Sequence, residues 1–142
     1  MTLNQDQIKK IIPHRDPFLL IDAITECTPG ISASGAKFMS PDSFWFAGHF
    51  PEYPVTPGVL MIEMAAQVGA VSLLSLPENK GKLAFFAGIN NVKFKRQVLS
   101  GDTLDITCTI TKQKLGIGYG QIECSVCGEQ ALKGEIMFAI QK

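Results

Sequence analysis

Histidine and glutamate both move protons, and this chain sets His49 and Glu63 on either side of the start of an apolar run. The connecting stretch is Gly48-His49-Phe50-Pro51-Glu52-Tyr53-Pro54-Val55-Thr56-Pro57-Gly58-Val59-Leu60-Met61-Ile62-Glu63. Imidazole is the side chain that titrates nearest neutrality, which suits a general base. A carboxyl set between Ile62 and Met64 has surroundings that favour its protonated form, which suits a proton donor. Gln67 lies one helical turn further on and could orient that carboxyl or meet substrate. Gly58 falls in the helix's first turn. There a backbone N–H has no intrahelical partner, the dipole is positive, and the missing side chain lets an oxygen approach closely. A donor so placed polarises a carbonyl as negative charge develops on its oxygen. Each residue also has an ordinary reading: a surface loop histidine, a glutamate satisfied by a neighbour, a glycine needed by a tight turn.

These residues must be positioned by the elements around them. Residues from about Asn4 to Ile12 read as a short helix stopped by Pro13. Phe18–Cys27 and Ile31–Met39 read as strands separated by the Pro29-Gly30 turn. Pro41–Val55, with its prolines and aromatics, reads as an ordered loop. Thr56 is a good N-cap and Pro57 fits the first helical position, so a helix is predicted from Pro57 to about Leu76. Four more strands follow at Leu83–Phe94, Leu104–Lys114, Gly118–Cys127 and Ala131–Ile140, with turns at Ser100-Gly101-Asp102 and Gly128-Glu129. The order is two strands, one long helix, four strands, with no linker or repeat to divide residues 1–142.

The long helix is apolar almost all round, interrupted mainly by Glu63 and Gln67. Its length approaches the ~20 residues of a membrane span, but the carboxylate and the strand-rich remainder argue for burial inside the protein instead. Ala65, Ala66, Gly69 and Ala70 are small enough to let strands come close. An α+β architecture, with an antiparallel sheet wrapped around one central helix, satisfies both observations.

Composition narrows the classes. The chain has 142 residues, 46% apolar and only 18% charged, against a usual charged share near ~25%. Some surface is therefore expected to be buried in an oligomer. Thirteen basic residues balance thirteen acidic ones, so no nucleic-acid footprint is expected. The polar opening Met1–Gln7 has no signal-peptide pattern, and a cytoplasmic location is expected. Cys124 and Cys127 form a CxxC, but in a strand residues three apart face opposite ways, and no second Cys/His pair completes a metal site. No metal and no cofactor are expected.

Gly58 and Glu63 are five residues apart, about 140° around the helix and ~7.5 Å along it. One chain does not aim both at the same substrate atom. A two-fold dimer would bring Glu63 of one copy beside His49 and Gly58 of the other, giving two composite sites. Elsewhere, Val92-Lys93-Phe94-Lys95-Arg96 alternates basic and apolar residues. It is either a solvated strand face or a dock for an acidic protein carrier that Lys93, Lys95 and Arg96 would receive. His14 sits in Pro13-His14-Arg15-Asp16-Pro17, beside an Arg/Asp pair able to form a salt bridge, and reads as structural.

The sequence closely resembles the FabZ-type (3R)-hydroxyacyl-acyl carrier protein dehydratases over nearly its whole length. Pro13-His14-Arg15 with Pro17-Phe18-Leu19-Leu20, Gly48-His49-Phe50-Pro51, Pro57-Gly58-Val59-Leu60 through Glu63, Ala66-Gln67 and Lys93-Phe94-Lys95 follow the family pattern in order. The resemblance implies a hotdog fold, a homodimer and commonly a hexamer of three dimers. It implies His49 and Glu63 as catalytic pair and Gly58 as oxyanion donor. Glu rather than Asp at position 63 resembles FabZ rather than the FabA dehydratase-isomerases. Asp16 and Thr56 depart from the pattern, where the family generally has an aromatic and an apolar residue, and bear on the acyl tunnel. The implied reaction removes water from (3R)-3-hydroxyacyl thioesters to give trans-2-enoyl thioesters in type II fatty acid synthesis, on substrate carried by the phosphopantetheine arm of acyl carrier protein. A dehydratase that also isomerises trans-2 to cis-3, a hotdog thioesterase and a non-catalytic carrier-binding scaffold remain as alternatives.

Overall fold

The computed structural model describes residues 2–142. Helix α1 (Gln5–Ile8) is followed by strands β1 (Ala23–Thr28) and β2 (Ser32–Phe38), helix α2 (Gly58–Leu74) and strands β3 (Ala84–Phe94), β4 (Thr103–Lys114), β5 (Ile117–Val126) and β6 (Glu129–Ile140). The six strands form one antiparallel sheet in the order β1-β2-β4-β5-β6-β3, and it curls around α2. This is the expected α+β hotdog arrangement.

Alternation along the strands makes the concave face. Leu104, Ile106 and Cys108 of β4, Ile122 and Cys124 of β5, and Ile136 and Phe138 of β6 point inward and are buried, while their neighbours face out. From Met61 to Leu74 every α2 residue except Glu63 is buried. Gly69 permits that close fit: a Cβ there would lie 2.6 Å from Cys108 Sγ and 2.8 Å from Phe138 Cζ.

Several boundaries differ from expectation, each for a local reason. Asn4 caps α1 in a reciprocal capping box with Gln7, but the regular helix ends at Ile8 and looser turns continue to Ile12. The strand expected from Phe18 starts only at Ala23. Leu19, Leu20 and Ile21 are buried, yet the Phe18 carbonyl and Leu20 N–H bond the Gln67 side chain instead of a strand. Thr56 is not the N-cap. Its amide bonds the Val98 carbonyl at 2.7 Å, its hydroxyl is buried without a partner, and Pro57 holds the cap position, so Gly58 is the first helical residue rather than the second. Helix α2 stops at Leu74 because Leu76 precedes Pro77 and is extended (ψ 136°). The β5–β6 turn is centred on Cys127-Gly128, both at positive φ, and Leu115-Gly116 makes the same kind of turn between β4 and β5.

The four cysteines are free thiols. Burial pushes the Cys108 and Cys124 thiols up to about 12, with lesser contributions to Cys124 from Cys108 and Glu123. Cys127 is exposed in its turn, so the CxxC pair is split between core and solvent. No helix among the described residues is long and apolar enough to cross a membrane.

Gly69 yields a stability test. Alanine is favoured over glycine in a helix by about 1 kcal/mol, while overpacking a core costs about 1–3 kcal/mol. Gly69→Ala is expected to lower stability by roughly 1–2 kcal/mol in urea unfolding at fixed protomer concentration. Adding Cys108→Ala should make the double variant lose less than the two single losses combined.

Candidate active site

The loop before α2 is shaped around His49. The His49 amide donates to the Trp45 carbonyl at 3.0 Å, and its own carbonyl accepts from Val55 N–H at 3.0 Å. Phe50 and Tyr53 exchange both backbone bonds at 3.0 Å, closing the intervening turn. The His49 ring lies 2.9 Å through Nδ1 from the Val55 carbonyl and stacks on Phe50. A carbonyl only accepts, so Nδ1 carries the proton and Nε2 keeps its lone pair as a base. Val55 is itself tied across to Leu99 by an isolated bridge. The clamp therefore ties the His49 ring to Val55, three residues ahead of the first turn of α2.

Gly58 opens that turn beneath Phe94. A Cβ at Gly58 would come within 2.6 Å of the Phe94 ring, so the position is tight as well as suited to a close donor. The two residues border a cavity of about 340 Å³ whose walls include Val59 and Arg96.

Glu63 points elsewhere. It borders a second cavity of about 200 Å³, walled by Phe18, Ala70, Phe85, Phe86 and Phe138. Its side chain is 17% exposed, so the carboxyl is partly open toward this space rather than sealed in the core. Gln67 Nε2 donates to Glu63 Oε2 at 3.0 Å and also to the Phe18 carbonyl at 2.8 Å, while Gln67 Oε1 accepts from Leu20 N–H at 2.9 Å. Fully buried, Gln67 ties helix, loop and carboxyl together. His14 Nε2 stands 3.6 Å from Glu63 Oε2, a placement that reading its motif as structural misses. The usable signal was that the chain has only two histidines. Arg15 does not pair with Asp16; its guanidinium donates to the carbonyls of Lys9, Ile12 and His14.

One chain thus gathers Glu63, Gln67 and His14 at one cavity and sets Gly58 on another, with His49 clamped to Val55, which borders the Gly58 cavity. The basic segment divides as well. Lys93 and Lys95 border a groove of about 390 Å³ on the sheet's outer face, joined by Lys133, which is paired with Lys93 in the β3–β6 register. Arg96 lies on the Gly58 side and is held by Glu129 at 2.8 Å and Asp102 at 3.6 Å.

The family model described as the FabA-like domain matches residues 12–135. The 3-hydroxyacyl-[acyl-carrier-protein] dehydratase FabZ of Clostridium novyi (strain NT) is 50% identical over 142 residues, covering 100% of both chains. The protein of the same name from Roseiflexus castenholzii is 51% identical over 138 residues, 97% of this chain and 96% of its own. Among solved structures, the dehydratase heterocomplex ApeI:P from Xenorhabdus doucetiae superimposes with a TM-score of 0.82 at 19% identity, over 95% of this chain and 91% of that one.

Replacing Gln67 tests its linking position. Gln67→Leu leaves Leu20 N–H and the Phe18 carbonyl without their partner, and each unsatisfied buried group costs roughly 1–3 kcal/mol. A loss of at least about 2 kcal/mol in urea unfolding is expected, with reduced turnover as Glu63 loses its orienting amide.

Proposed function

Because the chain belongs to the FabA-like family, on the FabZ side of it, we propose that His49 and Glu63 of two neighbouring copies carry out its dehydration chemistry. The protein is a 3-hydroxyacyl-[acyl-carrier-protein] dehydratase, a hydro-lyase of fatty acid synthesis. The substrate taken here is the (3R)-3-hydroxyacyl thioester and the product the trans-2-enoyl thioester. His49 Nε2 removes a proton from C2, which the thioester carbonyl acidifies. Gly58 N–H stabilises the charge that develops on the carbonyl oxygen. The electron pair left at C2 forms the C2–C3 double bond as the 3-hydroxyl departs, and Glu63 of the second copy protonates it to water. The observation that carries this reading is the His49–Val55 clamp, which commits Nδ1 to a carbonyl and frees Nε2. No step requires a metal or redox cofactor, since the thioester takes up the electron density.

The second copy is argued from β3. Among the described residues this strand pairs only with β6, and its other edge is free. Phe85, Phe86, Ile89 and Phe94 on it are between 41% and 53% exposed. An unpaired edge carrying large apolar side chains favours addition of another strand, so we place the homodimer contact along β3. That contact lies beside both cavities, since Phe85 and Phe86 border the Glu63 cavity and Phe94 covers Gly58. Assembly of three dimers into a hexamer and a cytoplasmic location complete the proposal. The acyl carrier protein is taken to dock at Lys93 and Lys95, with Lys133 beside them. Arg96 is occupied by two carboxylates and lines the way to Gly58 instead.

His49→Ala and Glu63→Gln are each expected to lower turnover by roughly 100- to 10,000-fold with the fold retained. Mixing the two inactive proteins under subunit exchange should restore activity, since each mixed dimer regains one intact site. Verified heterodimers with no recovery would exclude a shared site. Mass spectrometry of the product should find the dehydrated thioester rather than free acid, and chromatography against standards should identify it as the 2-enoyl rather than the 3-enoyl isomer. Reversing charge with Lys93→Glu and Lys95→Glu should weaken use of carrier-bound substrate and flatten its salt dependence. Turnover of a small thioester without carrier should stay unchanged; equal loss on both would point to damage elsewhere.

A further inference from the structure

His14 is a polar side chain in an otherwise aromatic and alanine-lined cavity, and the dyad does not account for it. Its Nε2 is 3.6 Å from Glu63 Oε2, the same oxygen that accepts from Gln67 Nε2 at 3.0 Å. Its other nitrogen, Nδ1, is buried with no partner. A ring with one nitrogen facing a carboxylate and the other facing no acceptor carries its proton on the carboxylate side. His14 and His49 therefore show opposite tautomers: His49 is protonated at Nδ1 with Nε2 free, whereas His14 presents Nε2–H to Glu63. Two N–H groups then face Oε2 from two elements, α2 and the loop after α1. Oε1 has no hydrogen bond among the described residues.

We propose that His14 is a positioning residue for Glu63: with Gln67 it holds Oε2 and leaves Oε1 to address the substrate's 3-hydroxyl. This rests on Glu63 being the proton donor. At 3.6 Å the contact is longer than a hydrogen bond, so its action is dipolar orientation of the carboxyl group rather than proton relay. Gln67 alone leaves the carboxylate free to rotate about a single contact. The second contact, from outside the helix, removes that freedom. Near-attack geometry is sensitive at this scale, since a misplacement of about 1 Å can cost ~100-fold in rate.

The test compares five purified variants with the wild type on 3-hydroxyacyl-acyl carrier protein: His14→Phe, His14→Asn, His14→Gln, Glu63→Gln and the double variant His14→Phe/Glu63→Gln. Native oligomeric mass is checked for each. Glutamine reaches as far as Nε2 and keeps an N–H; asparagine is too short, and phenylalanine keeps bulk without a donor. His14→Phe and His14→Asn should lower kcat roughly 10- to 100-fold with KM within about threefold, and His14→Gln should recover most of the loss. The double variant should be no slower than Glu63→Gln alone, since His14 acts through that carboxyl. Wild-type kcat in His14→Asn, equal losses in Asn and Gln variants, or additive losses in the double variant would each overturn the inference. If His14→Phe does not fold, the Asn/Gln contrast decides. High turnover in Glu63→Gln would overturn the reading of Glu63 itself. Harmless His14 variants beside an inactive Glu63→Gln would overturn the positioning role alone.

Discussion

A helix that is apolar on every face has to be covered on every face, and the rest of this fold follows from covering α2. A sheet supplies most of the cover because its inward side chains alternate with outward polar ones. The curl that lets one sheet embrace a helix brings backbone and side chain into close contact. Gly69 and Gly120 both lie against the Cys108 sulfur, where a Cβ would fall 2.6 Å and 2.7 Å away. The desolvated Cys108 thiol, held up near 12, serves there as a small apolar filler rather than a reactive group. On the side the strands do not reach, Leu19, Leu20 and Ile21 close the core without forming a ladder.

That last stretch explains why a glutamine lies in the middle of the helix. A buried chain segment that joins no strand leaves backbone groups to satisfy. The Gln67 amide satisfies two of them and extends its remaining N–H to Glu63. The same side chain thus closes the core and orients a carboxyl. Structural and chemical demands meet in one residue, so damage to either propagates to the other. Ser72 acts in a simpler way, its hydroxyl donating to the Thr28 carbonyl at 3.1 Å where β1 ends.

The legible parts of the sequence were those set by periodicity and by glycine and proline. Alternation marked all six strands to within a few residues, except where Gln67 replaced the ladder at Phe18–Asp22. Helix α2 was legible from its apolar run, but its first residue was not. Thr56 has the right chemistry for a cap, yet its amide is drawn to Val98, forty-two residues away in sequence, and the cap moves to Pro57. Arg96 looked like one more cation of a basic strand. Glu129, thirty-three residues on, joins Asp102 in turning it into a salt-bridged wall of the Gly58 cavity. His14 failed for the same reason, since nothing local says that a loop after α1 meets a carboxyl on α2. Contacts across long separations are what a one-dimensional pattern withholds.

The two candidate proton-transfer groups have separate anchors. An imidazolium and a carboxylate free to meet at about 4 Å would attract by about 4 kcal/mol at an effective dielectric of 20. Such a pair would neutralise itself and leave neither group to act on substrate. Here each has its own anchor: His49 the Val55 carbonyl, and Glu63 the Gln67 amide beside His14. Among the described residues His49 Nε2 and Glu63 Oε1 make no hydrogen bond, so each group keeps one atom free. A three-carbon reacting unit laid between two copies would meet both without allowing them to meet each other. The apolar β3 edge lies against both cavities, so a second copy added there, as proposed, would make its contact continuous with the cavity walls.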